Sequence, residues 1–117
     1  MPPIPVPDEY LVAGWQVDLE QQVQNGNLTD TMRKTYEWGF AQFLDWLDHT
    51  QVEAVTGPVI EEWVSGLHDQ GHNSFSISFW LSCVQNFFHW AYASGGVSSD
   101  PTNGVESGLD GLRANQA

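Results

Sequence analysis

The sequence predicts an all-α protein, a compact bundle of four helices with short connections. Three observations carry that expectation. Apolar residues recur at three- and four-residue spacing through four segments, residues suited to capping or stopping a helix stand between those segments, and no useful stretch alternates apolar and polar side chains as a strand would.

In the first segment, Asp8 to Gln24, Leu11, Trp15, Leu19 and Val23 fall four apart and share one helical face. Asp8 and Glu9 suit the positive N-terminal end, and Asn25-Gly26-Asn27 tolerates the left-handed backbone that closes a helix. Thr29 or Asp30 caps the second helix, predicted to run to about His49 with Met32, Tyr36, Phe40, Phe43, Leu44 and Leu47 as its buried stripe. Arg33, Lys34 and Glu37 lie on its outer face. A short connection holds Val52 and Val55, and Thr56-Gly57-Pro58 reads as a cap followed by a first-turn proline. The third helix then buries Ile60, Trp63, Val64 and Leu67 and ends at Gly71. Asn73 or Ser74 caps the fourth, which carries two stripes: Ile77, Leu81, Val84, Phe88 and Tyr92 on one side, and Trp80, Cys83, Phe87 and Trp90 on the other. A helix apolar nearly all round belongs at the centre of its fold. Gly95-Gly96 ends it and Pro101 forbids a continuation.

The ends read differently. Met1 to Pro7 is rich in X-Pro steps and predicts an extended lead-in. From Ser98 onward Gly, Ser, Asn and Asp dominate, with only Val105, Leu109 and Leu112 as apolar anchors, which predicts a linker. The expected organisation is thus a lead-in over 1–7, a four-helix domain over 8–97 and a linker over 98–117. Internal repeats are absent. The tail has no anchoring element, which points to a piece of a longer chain.

Composition narrows the function. The 117 residues carry 15 Asp and Glu against 3 Lys and Arg, a net charge of −12. Charged residues make up only 15%, against a typical ~25%, so the skew comes from missing cations: Arg33, Lys34 and Arg113 are the whole set. With 41% apolar residues and six tryptophans, this is a globular domain and not a disordered acidic tail. A free-standing enzyme that clamps phosphates is disfavoured. Cys83 is alone, which excludes an intramolecular disulfide and a multi-cysteine zinc site. The N-terminus has neither the basic stretch nor the apolar run of a signal peptide or membrane anchor, so a cytoplasmic location is expected.

Catalytic constellations are equally sparse. His49, His68, His72 and His89 show no His-Glu-x-x-His pattern, and Gly71 separates His68 from His72, so they read as surface or capping residues and not as metal ligands. Glu61 and Glu62 lie about 100° apart around a helix and read as a solvated face. Ser82 and Cys83 lack a Gly-x-Ser-x-Gly elbow or an assignable base, and phosphate-cradling glycine loops are missing. No cofactor, metal or small-molecule substrate is expected.

Several fragments in succession nonetheless form a pattern. Leu28-Thr29-Asp30-Thr31-Met32 leads to Tyr36, Phe40, Phe43 and Trp46-Leu47; Val55-Thr56-Gly57-Pro58-Val59-Ile60 leads to Trp63-Val64 and Leu67. Leu81-Ser82-Cys83-Val84-Gln85-Asn86-Phe87-Phe88-His89-Trp90-Ala91 continues into Gly95-Gly96-Val97 and Asp100-Pro101-Thr102-Asn103-Gly104-Val105. From Leu28 to Val105 this resembles the core-binding, SAM-like N-terminal domain of the tyrosine recombinases, the lambda-integrase and Xer-type phage integrase family. The most specific part is the run from Leu81, similar to the family's Leu-Ser-Ala-Leu-Arg-x-Phe-Phe-x-Trp-Leu. Three departures stand out: Gln85 replaces the usual arginine, Asp30 and Asp100 add negative charge where proline or asparagine is frequent, and Thr31 lies one place before the expected threonine.

The resemblance implies an orthogonal four-helix bundle that forms one half of a C-shaped clamp on duplex DNA and, in a full-length recombinase, aligns neighbouring subunits. Carried over by position, the candidate contacts are Thr29, Thr31, Arg33 and Lys34 at the start of the second helix, His72, Asn73, Ser74 and Ser76 at the start of the fourth, and Gln85. Helix N-termini offer N–H groups to phosphates, and hydroxyl or amide side chains complete such contacts without charge. Arg33 and Lys34 read equally as an exposed face balancing Glu37. The family's catalytic domain, with its arginines, histidine and nucleophilic tyrosine, is not in these 117 residues, so no strand cleavage is expected from them.

Charge opposes DNA binding at low salt, because affinity for a polyanion normally comes from cations that release counterions. One lysine among many carboxylates fits a cytoplasm of molar salt, where the Debye length falls to ~3 Å, and predicts a halophilic recombinase domain. The alternatives are an acidic helical module that binds proteins through exposed Trp38, Trp80 and Trp90, and a DNA mimic.

Overall fold

The computed structural model describes residues 8–47 and 51–103. It contains four α-helices: α1 (Asp8–Gln24), α2 (Asp30–Leu47), α3 (Gly57–Asp69) and α4 (Ser74–Ala93), with a 3₁₀ turn at Val52–Ala54 between α2 and α3. No strand occurs among the described residues.

Side-chain chemistry sets the helix ends. Thr29 Oγ1 accepts the Met32 N–H at 3.1 Å and Asn73 Oδ1 accepts the Ser76 N–H at 2.8 Å, so Thr29 and Asn73 are the caps of α2 and α4. Thr56 holds the extended backbone of a cap ahead of Gly57-Pro58, with no side-chain hydrogen bond. At the other ends, α1, α3 and α4 close identically. Asn27, His72 and Gly96 donate their N–H groups to carbonyls five residues back, and Gly26, Gly71 and Gly95 donate to carbonyls three back. Those three glycines have φ of 79°, 90° and 83°, the left-handed turn this closure requires.

Helix α4 is the centre, packed against the other three. It packs most closely on α2: Trp38 meets Trp80, Phe40 stacks on Phe87 at 4.1 Å, and Phe43 meets Phe88. Between these pairs Gly39 lies against Cys83 so closely that a Cβ added there would stand 2.5 Å from Sγ and 2.7 Å from Cβ of Cys83. Glycine is thus what lets the Phe40–Phe87 stack form. From α1, Trp15 sets its edge against both rings and donates its indole N–H to Asn86 Oδ1 at 2.9 Å, so its one polar atom is satisfied inside the core. Trp63 of α3 completes the core against Phe43.

The predicted stripes are buried where a partner helix covers them. Phe40, Phe43, Leu47, Ile60, Trp63, Val64, Leu67, Ile77, Leu81, Val84 and Phe88 are all in the core, as are Cys83 and Phe87 from the second stripe of α4. Met32 and Tyr92, the outermost members of their stripes, are exposed, and Val23 is only half-buried. Each lies near an end of its helix. Trp80 and Trp90 are half-buried against the core, whereas Trp38 is 51% exposed. The last described turn of α2 ends at Leu47; His49 lies outside the described residues.

Beyond α4 the chain stays on the bundle through residue 103. Val97, Pro101 and Thr102 are buried. Asp100 Oδ1 accepts both the N–H and the hydroxyl of Thr102, and its other oxygen lies 3.1 Å from His89 Nε2. Ser98 donates to Glu53 Oε1 at 2.8 Å, on the 3₁₀ turn, and the Asp8 carboxylate accepts the Val52 N–H of that same turn. The residues past 97 read as linker from composition, yet the six that are described form a polar turn seated on the fold. Lead-in residues 1–7 and residues 104–117 lie outside the described residues.

Candidate functional site

The first half of α2 meets the early part of α4 around an open concavity of about 430 Å³ lined by Thr31, Lys34, Thr35, Trp38 and Phe79. Of the residues carried over as contacts, Thr31 and Lys34 therefore share that concavity with Phe79 of α4. Trp38 touches Trp80 edge-on, and the His72 ring lies 4.7 Å from that of Trp80. An aromatic row thus links His72, just ahead of α4, to the middle of α2. Gln85 stands apart: eleven residues into α4, about 16 Å along the axis from Ser74.

The polar groups divide into committed and open ones. Thr29 and Asn73 spend their side-chain oxygens on capping. Those caps satisfy one N–H each, and the Asp30, Thr31, Ser74 and Phe75 N–H groups have no carbonyl within their own helices. Thr31 is exposed, and Ser74 and Ser76 are half-buried.

Both described cations are held by carboxylates of their own helix. Arg33 donates to Asp30 through Nη2 at 2.8 Å and Nε at 3.0 Å, and reaches Glu37 at 3.3 Å. Lys34 Nζ lies 3.4 Å from the other Asp30 oxygen. The hydrogen bond from Arg33, then that from Lys34, holds the Asp30 carboxyl below the ordinary carboxylate range, and Asp30 in turn raises the Arg33 guanidinium. The sequence reading balanced these cations against Glu37; the stronger partner is Asp30, at i−3 and i−4, a spacing legible in the sequence.

Two groups that resemble reactive chemistry are structural. Ser82 donates its hydroxyl to the Phe79 carbonyl at 2.6 Å, and Cys83 is buried, its thiol pushed up to about 11 by desolvation. A thiol with that pKa is protonated at neutral pH and a poor nucleophile. Glu61 and Glu62 are exposed, as a solvated face requires. Among the described residues no three His, Cys, Asp or Glu side chains gather to hold a metal ion, and no helix is long and apolar enough to cross a membrane.

Sequence reasoning missed the apolar character of this rim. Phe75, in the first turn of α4, is 84% exposed, and Phe79, one turn later, is partly exposed beside Trp38. Their i, i+4 spacing marks a third apolar face on α4, separate from the two stripes that enter the core. Trp46 is also exposed, although it was read only as part of a Trp-Leu pair.

A family model described as phage integrase, N-terminal SAM-like domain, matches residues 23–95, from the last turn of α1 through the closing turn of α4. No curated protein and no solved structure matches the chain.

Proposed function

The chain belongs to the phage integrase N-terminal SAM-like domain family, and on that premise we propose that it is the DNA-binding half of a tyrosine site-specific recombinase, clamping duplex DNA opposite a catalytic domain. In integrases this domain is the non-catalytic one, with a recombinase-related DNA-binding role. The observation that carries the proposal is the match over residues 23–95. The helix starts support it, because the free N–H groups at the α2 and α4 N-termini and the small hydroxyls beside them suit phosphate oxygens.

The electrostatics bear on the conditions of binding. With Arg33 and Lys34 already paired to Asp30 and a net charge of −12, little cationic surface is left to displace counterions at low salt. At molar KCl the repulsion is screened over ~3 Å, and hydrogen bonds from N–H, hydroxyl and amide groups dominate. We assign the domain to a high-salt cytoplasm for that reason, and to alignment of recombinase subunits in the assembled complex.

A second reading has its own observation. Trp38, Phe75 and Phe79 are exposed, and Trp38 and Phe79 line one concavity, which suits a protein partner better than phosphate. Fluorescence anisotropy of a labelled duplex, titrated with the chain from dilute to multimolar KCl with circular dichroism in the same buffers, separates the two. Binding that appears as salt rises, in folded protein, supports the DNA reading. Folded protein that leaves anisotropy unchanged at every salt concentration refutes it for this chain and favours the protein partner.

A further inference from the structure

Three tryptophans from three helices converge. Trp46 of α2, Trp63 of α3 and Trp80 of α4 line a cavity of about 170 Å³, together with Gly66, Leu67, Gln42 and Gln70. The rings are held by aromatic neighbours. Phe43 stacks on Trp46 and meets Trp63 edge-on, and Trp80 is held by Trp38 and His72. Their positions are therefore set before anything enters.

Gly66 indicates that the space is kept open. It sits inside α3, where glycine weakens a helix relative to alanine, and a Cβ added to it would meet nothing within 4 Å. Gly39 is excused by its contact with Cys83; Gly66 has no such packing reason. A side chain at 66 would project into the cavity it lines.

The chemistry of the lining selects the occupant. Neither a cationic side chain nor a carboxylate lines the cavity, so an anion has no partner and a hard metal ion has no ligand set. Three tryptophans and two glutamines, with no ion to pair with, favour a soft, weakly hydrated cation. The chain's net charge of −12, with Asp45, Glu62 and Asp69 exposed on the three helix segments that line the cavity, favours a cation over an anion. At ~30 Å³ per water the volume equals five or six waters, the scale of a headgroup. We propose that this cavity binds a fully alkylated ammonium group, carried either by a small free molecule or by an alkylated lysine side chain. The proposal does not depend on the DNA reading.

The test uses the whole chain and its tryptophan fluorescence, titrated with tetramethylammonium chloride at ionic strength held constant with KCl. Saturable binding is expected, about tenfold tighter than that of 3,3-dimethyl-1-butanol, a neutral molecule of similar shape. Gly66→Leu fills the cavity and should abolish the response while leaving the melting temperature unchanged or raised. If that variant melts lower, Trp46→Ala removes an exposed wall and serves in its place. Choline against a neutral peptide containing trimethyl-lysine then identifies the source, the tighter binder naming it. Absence of saturation, equal affinity for the neutral alcohol, or full binding by both variants overturns the proposal.

Discussion

Substituting Gly39 and Gly66 by alanine should shift stability in opposite directions, although both replace a glycine inside a helix. Alanine removes the conformational cost of glycine and contributes up to about 1 kcal/mol to an exposed helix interior. At Gly66 nothing opposes that gain, since the new methyl meets no atom within 4 Å. At Gly39 the methyl would stand 2.7 Å from Cys83 Cβ, against ~3.5–4.0 Å for carbon atoms in contact. Cβ is bonded to the backbone and cannot rotate away, so α2 and α4 must separate by about 1 Å. That gap loosens the Phe40–Phe87 stack, whose rings are 4.1 Å apart, and the Phe43–Phe88 contact beside it. Overpacking of this kind costs up to about 3 kcal/mol; less the propensity gain, Gly39→Ala should lose about 2 kcal/mol. For a domain of this length that is about 8 °C in melting temperature, against a rise of about 3 °C for Gly66→Ala. Thermal unfolding followed by circular dichroism, with calorimetry in the same buffer, reads both. Adding Cys83→Ala to Gly39→Ala should recover only part of the loss, because the Cβ remains. Shifts of the same sign in the two single variants would refute the account of the α2–α4 crossing.

The other predictions concern the caps, the thiol and the paired cations. Asn73→Ala should cost about 1 kcal/mol, the usual value of a hydrogen-bonded cap, whereas Thr56→Ala, whose side chain makes no cap bond, should cost distinctly less; chemical denaturation of the two variants checks this. Burial raises the Cys83 thiol from 9.0 to about 11, so at pH 8 its reaction with a disulfide reagent should be about a hundredfold slower in folded than in unfolded protein, following the thiolate fraction. The fold holds the neutral thiol, so stability should decline as pH rises from 9.0 to about 11. Asp30→Asn releases Lys34 and leaves Arg33 only Glu37; on a duplex the domain binds, the log–log salt slope should steepen by about 1 to 2. An unchanged slope would show that neither cation reaches phosphate.

Much of the fold was legible because its signals are local. Caps, glycine closures and four-residue spacing each lie within a few positions, and they located all four helices. What the pattern could not supply was how far a partner helix extends, so Met32 and Tyr92 continue their stripes into solvent. The turn at Asp100 and Thr102 was missed for a related reason: polar residues satisfied by one another resemble a linker in composition, and only their burial distinguishes them. Of the predicted contact residues, Thr31 and Lys34 line one concavity with Phe79 of α4, and Gln85 lies farther along α4. Their electrostatics were partly readable, since Asp30 stands at helical spacing from Arg33 and Lys34. The three-tryptophan cavity was not, because its walls come from three helices and meet only after folding.

The 3₁₀ turn at Val52–Ala54 holds the first residue of α1 through Asp8 and the segment just after α4 through Ser98. Two segments far apart in the sequence are thus clasped to one three-residue turn, at Val52 and at Glu53. Their release is coupled: a change that unwinds the turn frees the start of α1 and the segment after α4 together, and local opening measured by hydrogen exchange should show the two as one unit.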